Sequence, residues 1–235
     1  MRARIKEKRE VAHGTLLVSF DLQGGKLDYR PGQYFLVKLI DPPYTDERGA
    51  RRHFSIVSTP AEQGIITMTT RVRESAFKRS LNEMPVGAEA EVGPVAGDFV
   101  LPENPSQPLV FVAGGIGITP FFSMIRHVKE QRLAHKITLL YSNRDRESAA
   151  FLDELQALAR EMRNLKLVLT MTADPDWPGE KRRIDAQFIR DHVADPPSCR
   201  YMIAGPEGMN EAMEKAIREA GVPRENIAVE VFTGY

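Results

Sequence analysis

The chain has 235 residues and a mass of 26.4 kDa, enough for one large domain or two small ones. Its hydrophobic fraction of 42% supports a real core and excludes global disorder. Lys plus Arg is 32 and Asp plus Glu is 32; residues 1–105 hold 15 and 14 of these, leaving 17 and 18, so neither part carries the positive excess of a nucleic-acid binder.

The first hundred residues read as strands. Segments 2–12, 15–21, 33–40, 51–58 and 64–72 are rich in Val, Ile, Thr and Phe, with Gly and Pro between them. Such spacing suggests an antiparallel barrel or sandwich. Arg2, Arg4, Lys6 and Lys8 alternate and would share one strand face. That stripe reads as a solvated edge strand protected by charge, or as a docking face for an acidic partner. A short helix is expected over 76–84, N-capped by Ser75. Gly87, Gly93, Pro94 and Gly97 then mark turns.

Residues 102–108 hold three prolines among polar residues and read as a stiff linker. The expected domains are 1–103 and 104–235. Beyond the linker, strands alternate with amphipathic helices: strand 109–113, helix 119–131, strand 137–142, helix 148–161, strand 166–171, helix 185–193, strand 200–204, helix 207–220 and strand 227–232. This alternation implies a doubly wound parallel sheet with right-handed crossovers. The single cysteine, Cys199, supports no disulfide framework and no iron–sulfur cluster. The five histidines lack metal-ligand spacing. No apolar run is long enough to span a bilayer, and the N-terminus lacks a signal-peptide core. The expectation is a cytoplasmic protein without a metal.

Four segments carry chemistry. Strand 109–113 runs into Gly114-Gly115-Ile116-Gly117-Ile118-Thr119-Pro120 and a helix, the setting in which backbone N–H groups and a helix N-terminus hold a pyrophosphate. It departs from the usual dinucleotide fingerprint, because Pro120 stands where the third glycine belongs, and a tight turn without a ligand is the plain alternative. Arg52-His53-Phe54-Ser55 offers a bidentate phosphate ligand, an aromatic face and a hydroxyl, or simply a surface Arg and a core Phe. Thr70 to Lys78 leads a strand into a short helix whose first amides belong to Ala76, Phe77 and Lys78. Ala204-Gly205-Pro206-Glu207-Gly208-Met209 is a βα loop at the carboxyl end of the sheet, where ligands bind in such folds. The chain closes with Glu230-Val231-Phe232-Thr233-Gly234-Tyr235.

In this order the segments resemble the ferredoxin–NADP reductase superfamily of flavoproteins. Arg52 to Ser55 looks like its Arg-x-Tyr/Phe-Ser flavin motif, and Gly114 to Pro120 like its pyridine-nucleotide loop. Ala204 to Met209 resembles its Cys-Gly-Pro-x-x-Met segment, and Glu230 to Phe232 its C-terminal Glu-x-aromatic. The resemblance implies a six-stranded antiparallel barrel binding FAD, then a five-stranded parallel sheet binding NAD(P)H. It implies Arg52 and the amides of Ala76, Phe77 and Lys78 at the flavin pyrophosphate, and His53 counts among the cofactor-binding residues. Phe54, Thr70 and Val72 would lie along the ring and its chain, with Ser55 near N5. Gly114, Gly115, Gly117, Thr119, Gly205, Pro206 and Met209 would line the nucleotide site. Glu230 would assist proton movement and Phe232 would cover the flavin, although Tyr235 is a rival for that role. Ala204 replaces the family's common Cys, and Phe54 lacks the commoner Tyr hydroxyl.

The implied chemistry is hydride transfer from the nicotinamide to FAD N5, then release of electrons to an acceptor such as a ferredoxin-like or flavodoxin-like carrier. Ser142, Arg144 and Arg183 suggest room for the 2′-phosphate of NADPH, against which Asp145 and Glu147 weigh a little. Two other readings are an electron-transfer subunit of a larger redox complex and a nucleotide-binding regulatory domain.

Overall fold

The computed structural model describes residues 1–72 and 74–231. They divide into two compact units: Met1–Leu101 with Phe122–His127, and Pro102–Phe121 with the described residues from Val128 onward.

The first unit contains β1 (Arg2–Ala12), β2 (Thr15–Asp21), β3 (Tyr34–Leu39), β4 (Arg51–Ser55), β5 (Ile65–Arg71), α1 (Ala76–Glu83) and β6 (Glu89–Ala96). Six strands form an antiparallel sheet in the order β4-β3-β6-β1-β2-β5. Beyond β4 the chain turns to β5, where Val57 N–H donates to Thr67 O at 2.8 Å, so the sheet curls toward closure. Alternate side chains fill the interior, among them Ile5, Val18, Phe20, Phe35, Val37, Ile66, Met68 and Val92. Phe77 and Leu81 of α1 complete this core.

Two sequence expectations change here. β1 is no edge strand: it pairs with both β2 and β6, and Arg2 and Arg4 lie across from Glu89 at 3.7 and 3.2 Å. The stripe also ends early. A register shift between Ile5 and Glu7 inserts an extra residue, after which Lys8 pairs with Val18 and takes the core side. Its ammonium donates to Asn82 O at 2.8 Å, to Leu81 O at 3.4 Å and to Met84 O. Lys8 therefore caps the C-terminal end of α1, where a cation meets the negative end of the helix dipole. Burial lowers its pKa. Second, the turn residues Gly93 and Pro94 lie inside β6, opposite a register shift between Phe35 and Val37 of β3. A bulge is where a strand tolerates proline.

The second unit contains β7 (Leu109–Gly114), α2 (Ile118–Glu130), β8 (Ile137–Asn143), α3 (Leu152–Glu161), β9 (Leu165–Met171), α4 (Ala186–His192), β10 (Arg200–Gly205), α5 (Glu207–Glu219) and β11 (Ile227–Val231). Part of α2, Phe122–His127, groups with the first unit. The five strands are parallel in the order β11-β10-β7-β8-β9. The order reverses between β7 and β10, which is the switch point where open α/β sheets bind ligands. One sheet face, including Val110, Val112, Leu140, Tyr201 and Ile203, packs with Phe188, Ile189, Met213 and Ile217 of α4 and α5. α3 starts later than the expected 148 because Asp145 and Ser148 close a turn and Phe151 takes the left-handed conformation at φ 59°.

Candidate functional site

In the first unit, β4 is a regular strand, so Arg52 and Phe54 share one face and His53 and Ser55 the other. The structure brings Arg52, Phe54 and Phe77 together. The Phe54 and Phe77 rings are 5.7 Å apart, and the Arg52 guanidinium lies 5.4 Å from the Phe77 centroid. His53 points away and packs edge-on against Tyr34 at 5.4 Å. Ser55 is buried and pairs in register with Tyr34. The Arg52 fork is engaged locally. It donates to Arg48 O and Gly49 O, each at 2.9 Å, and pairs with Asp46 at 3.2 Å.

The helix α1 begins beside this cluster. The expected N-cap forms: Ser75 Oγ accepts from Lys78 N–H at 3.2 Å. The Lys78 amide is thus given to the cap, and the two amides before it belong to Ala76 and Phe77. Thr70 is buried, its hydroxyl 3.4 Å from Arg71 O, and Val72 N–H donates to Gly14 O at 2.8 Å. The donor set of a guanidinium, a helix N-terminus and an aromatic face suits a pyrophosphate joined to a flat ring.

In the second unit the glycines divide the work. A Cβ on Gly114 would lie 2.0 Å from Met209 Sδ, and one on Gly117 would lie 2.1 Å from Ala204 O. Gly114 and Gly117 therefore let the strand ends and α5 close in, and a Cβ on Gly205 would likewise lie 3.1 Å from Met209 Sδ. Gly115 instead adopts φ 53°, which reverses the chain after β7. The loop turns its carbonyls inward. Gly115 O and Ile116 O accept from Ile118 N–H, and Thr119 Oγ donates to Ile116 O at 3.1 Å. The amides of Gly115 and Ile116 precede the first internal bond of this turn, as a phosphate site requires. Pro206 stands before α5, and Asn210 one turn on donates to Glu230 O at 2.9 Å.

Glu230 pairs in register with Ala204. Val229 packs on the α4/α5 side, so Glu230 projects from the opposite face. It is half-buried, and burial pushes its carboxyl up to about 7. Phe232 and Tyr235 lie outside the described residues.

At the end of β8, Ser142 is half-buried and Arg144 exposed. Arg183 is exposed beyond β9. The ion network at that edge is built on Arg182, which pairs with Glu180 at 2.7 Å and Asp191 at 2.9 Å. Chiefly by the Arg182 hydrogen bonds, the Glu180 carboxyl is held down at about 2. Two residues escaped the sequence reading. Asn143, between Ser142 and Arg144, has both side-chain polar atoms buried without a hydrogen-bond partner among the described residues. Tyr141 donates toward Gly115 O at 3.1 Å. Both fall at the end of an apolar run, where strand patterning signals only burial.

Taken together, an antiparallel unit with a cation–aromatic cluster and a parallel unit with a glycine loop at its switch point define a two-domain nucleotide-dependent oxidoreductase. Residues 2–100 match the model of the oxidoreductase FAD-binding domain, and residues 111–215 that of the oxidoreductase NAD-binding domain. The chain belongs to the oxidoreductases that join an FAD-binding to an NAD-binding domain, and it has the two-domain fold of ferredoxin–NADP reductase-like proteins. It is 29% identical over 242 residues to flavohemoprotein A of Dictyostelium discoideum, covering 95% of this chain and 58% of that protein. The chain thus spans little more than half of that relative. The FAD/NAD-binding domain of a nitric oxide dioxygenase from Vibrio cholerae superposes with a TM-score of 0.86 at 19% identity, covering 98% of each chain. Phthalate dioxygenase reductase gives 0.76 at 23% identity, over 98% of this chain and 67% of that one. Among the described residues no helix is long and apolar enough to cross a membrane.

Proposed function

We propose that the chain holds FAD on its first unit and NAD(P)H on its second, and passes reducing equivalents from the nucleotide to a separate electron carrier in the cytoplasm. The reading is carried by one observation: a glycine loop with inward carbonyls lies at the switch point of a unit fused to a flavin-type one. Bound FAD would exchange electrons in pairs with a nicotinamide and singly with other carriers. Arg52 and the Ala76 and Phe77 amides would bind its pyrophosphate, which competes with Asp46 for the Arg52 fork. Phe54 would pack along the ring system, and Ser55, the last residue of β4 and on its other face, would reach the ring edge only where the strand ends. Glu230 would hold or release a proton near neutral pH, as its raised pKa allows.

We place the nucleotide pyrophosphate at Gly115 and Ile116, with Ser142 and Arg144 toward a 2′-phosphate and hence a preference for NADPH. Arg183, exposed beyond β9, is a further candidate cation for that phosphate. The test is kcat/KM for both nucleotides, with ferricyanide as acceptor. Wild type should favour NADPH, and Arg144→Ala should lose about tenfold or more with NADPH while NADH is unchanged. An NADH preference in wild type contradicts the assignment.

A second reading, a reductase part of a larger redox assembly, draws support from relatives in which the matching segment is one portion of a longer chain. Co-purification of a redox partner distinguishes it from a small diffusible carrier of the ferredoxin or flavodoxin kind.

A further inference from the structure

The glycine loop is hydrogen-bonded by a residue outside the loop. Leu140 faces α4 and α5, so alternation sends Tyr141 to the other side of β8. There Tyr141 is wholly buried, and its hydroxyl reaches Gly115 O at 3.1 Å and Ala150 O at 3.3 Å. One phenolic proton is shared between a loop carbonyl and the turn before α3. Gly115 O already accepts from Ile118 N–H. The hydroxyl adds a second, side-chain donor that holds this carbonyl down. In a peptide plane, fixing the carbonyl of Gly115 inward fixes the N–H of Ile116 outward.

We infer that Tyr141 is a positioning residue for nucleotide binding: its hydroxyl locks the Gly115–Ile116 peptide so that the amide faces the pyrophosphate of NAD(P)H. This rests on the glycine loop being the nucleotide site. The residue acts through the loop and touches no reacting atom. Loss of the hydroxyl should therefore weaken binding of the pyrophosphate and leave the reaction of the filled site unchanged.

The experiment compares wild type and Tyr141→Phe as FAD-loaded full chains, measuring KM and kcat for NAD(P)H and Ki for inorganic pyrophosphate. KM and Ki should rise together by about five- to tenfold, the scale of one lost hydrogen bond, with kcat unchanged. Unchanged KM and Ki overturn the inference while leaving the proposed function standing. A lower kcat at unchanged KM also overturns it, because that pattern reports a smaller folded fraction. If wild type neither oxidises NAD(P)H nor is inhibited by pyrophosphate, the site assignment itself falls. Tyr141→3-fluorotyrosine keeps the ring and makes the hydroxyl a stronger donor. It should hold KM at or below the wild-type value, and a rise would count against the inference even if Tyr141→Phe folds poorly.

Discussion

Replacing Glu230 with glutamine removes a carboxyl that burial raises from 4.5 to about 7. The folded state favours its protonated form, so stability from this group is fully present below about pH 4.5 and is lost as pH climbs through 7. At about 1.4 kcal/mol per unit, the full rise would be worth about 3 kcal/mol. Glu230 is only half-buried, and solvent screening reduces this to about 1–2 kcal/mol. Urea unfolding followed by the fluorescence of Trp177, the single tryptophan and in the same unit, reads this directly. Relative to wild type, Glu230→Gln should gain about 1–2 kcal/mol between about pH 5 and pH 8.5. An equal difference at both pH values would refute the burial argument.

Two further substitutions separate the units. Gly117→Ala would place a Cβ 2.1 Å from Ala204 O and 2.9 Å from Gly205 N, backbone atoms that cannot swing aside. The loop must shift, at about 1–3 kcal/mol, and NAD(P)H affinity should fall while FAD affinity, followed by flavin fluorescence, stays. Unaltered NAD(P)H affinity would show that the close approach is not needed. Lys8→Met strips the donor from the end of α1 and should cost about 1–3 kcal/mol in denaturant unfolding. If the first amides of α1 hold the flavin as proposed, FAD binding should weaken too; a neutral result on both would contradict the capping role.

Much of this was legible in the sequence, because periodicity and breakers act locally. The Ser75 cap, the strands from β7 to β11 and the glycine turn follow from patterns within a dozen residues. What escaped depends on neighbours distant in the chain. Charge alternation could not show that β1 has a strand on both sides, nor that a bulge rotates Lys8 onto α1. Gly93 and Pro94 looked like a turn because the β3 irregularity that accommodates them lies far away in sequence. In the site, residue types suggested the ligands, but the division between packing glycines and the left-handed Gly115 needed Met209 and Ala204 in place. Arg183 was grouped with Arg144 by charge alone, since sequence spacing carries no distance between the ends of β8 and β9.

The central claim is that one chain carries both halves of a flavin reductase. It is tested by reconstituting the protein with FAD and adding NADPH or NADH without oxygen while following visible absorbance. Retained flavin is expected, its absorption bleaching at about one nucleotide per flavin. Flavin that binds yet stays oxidised, or fails to bind at all, would contradict it.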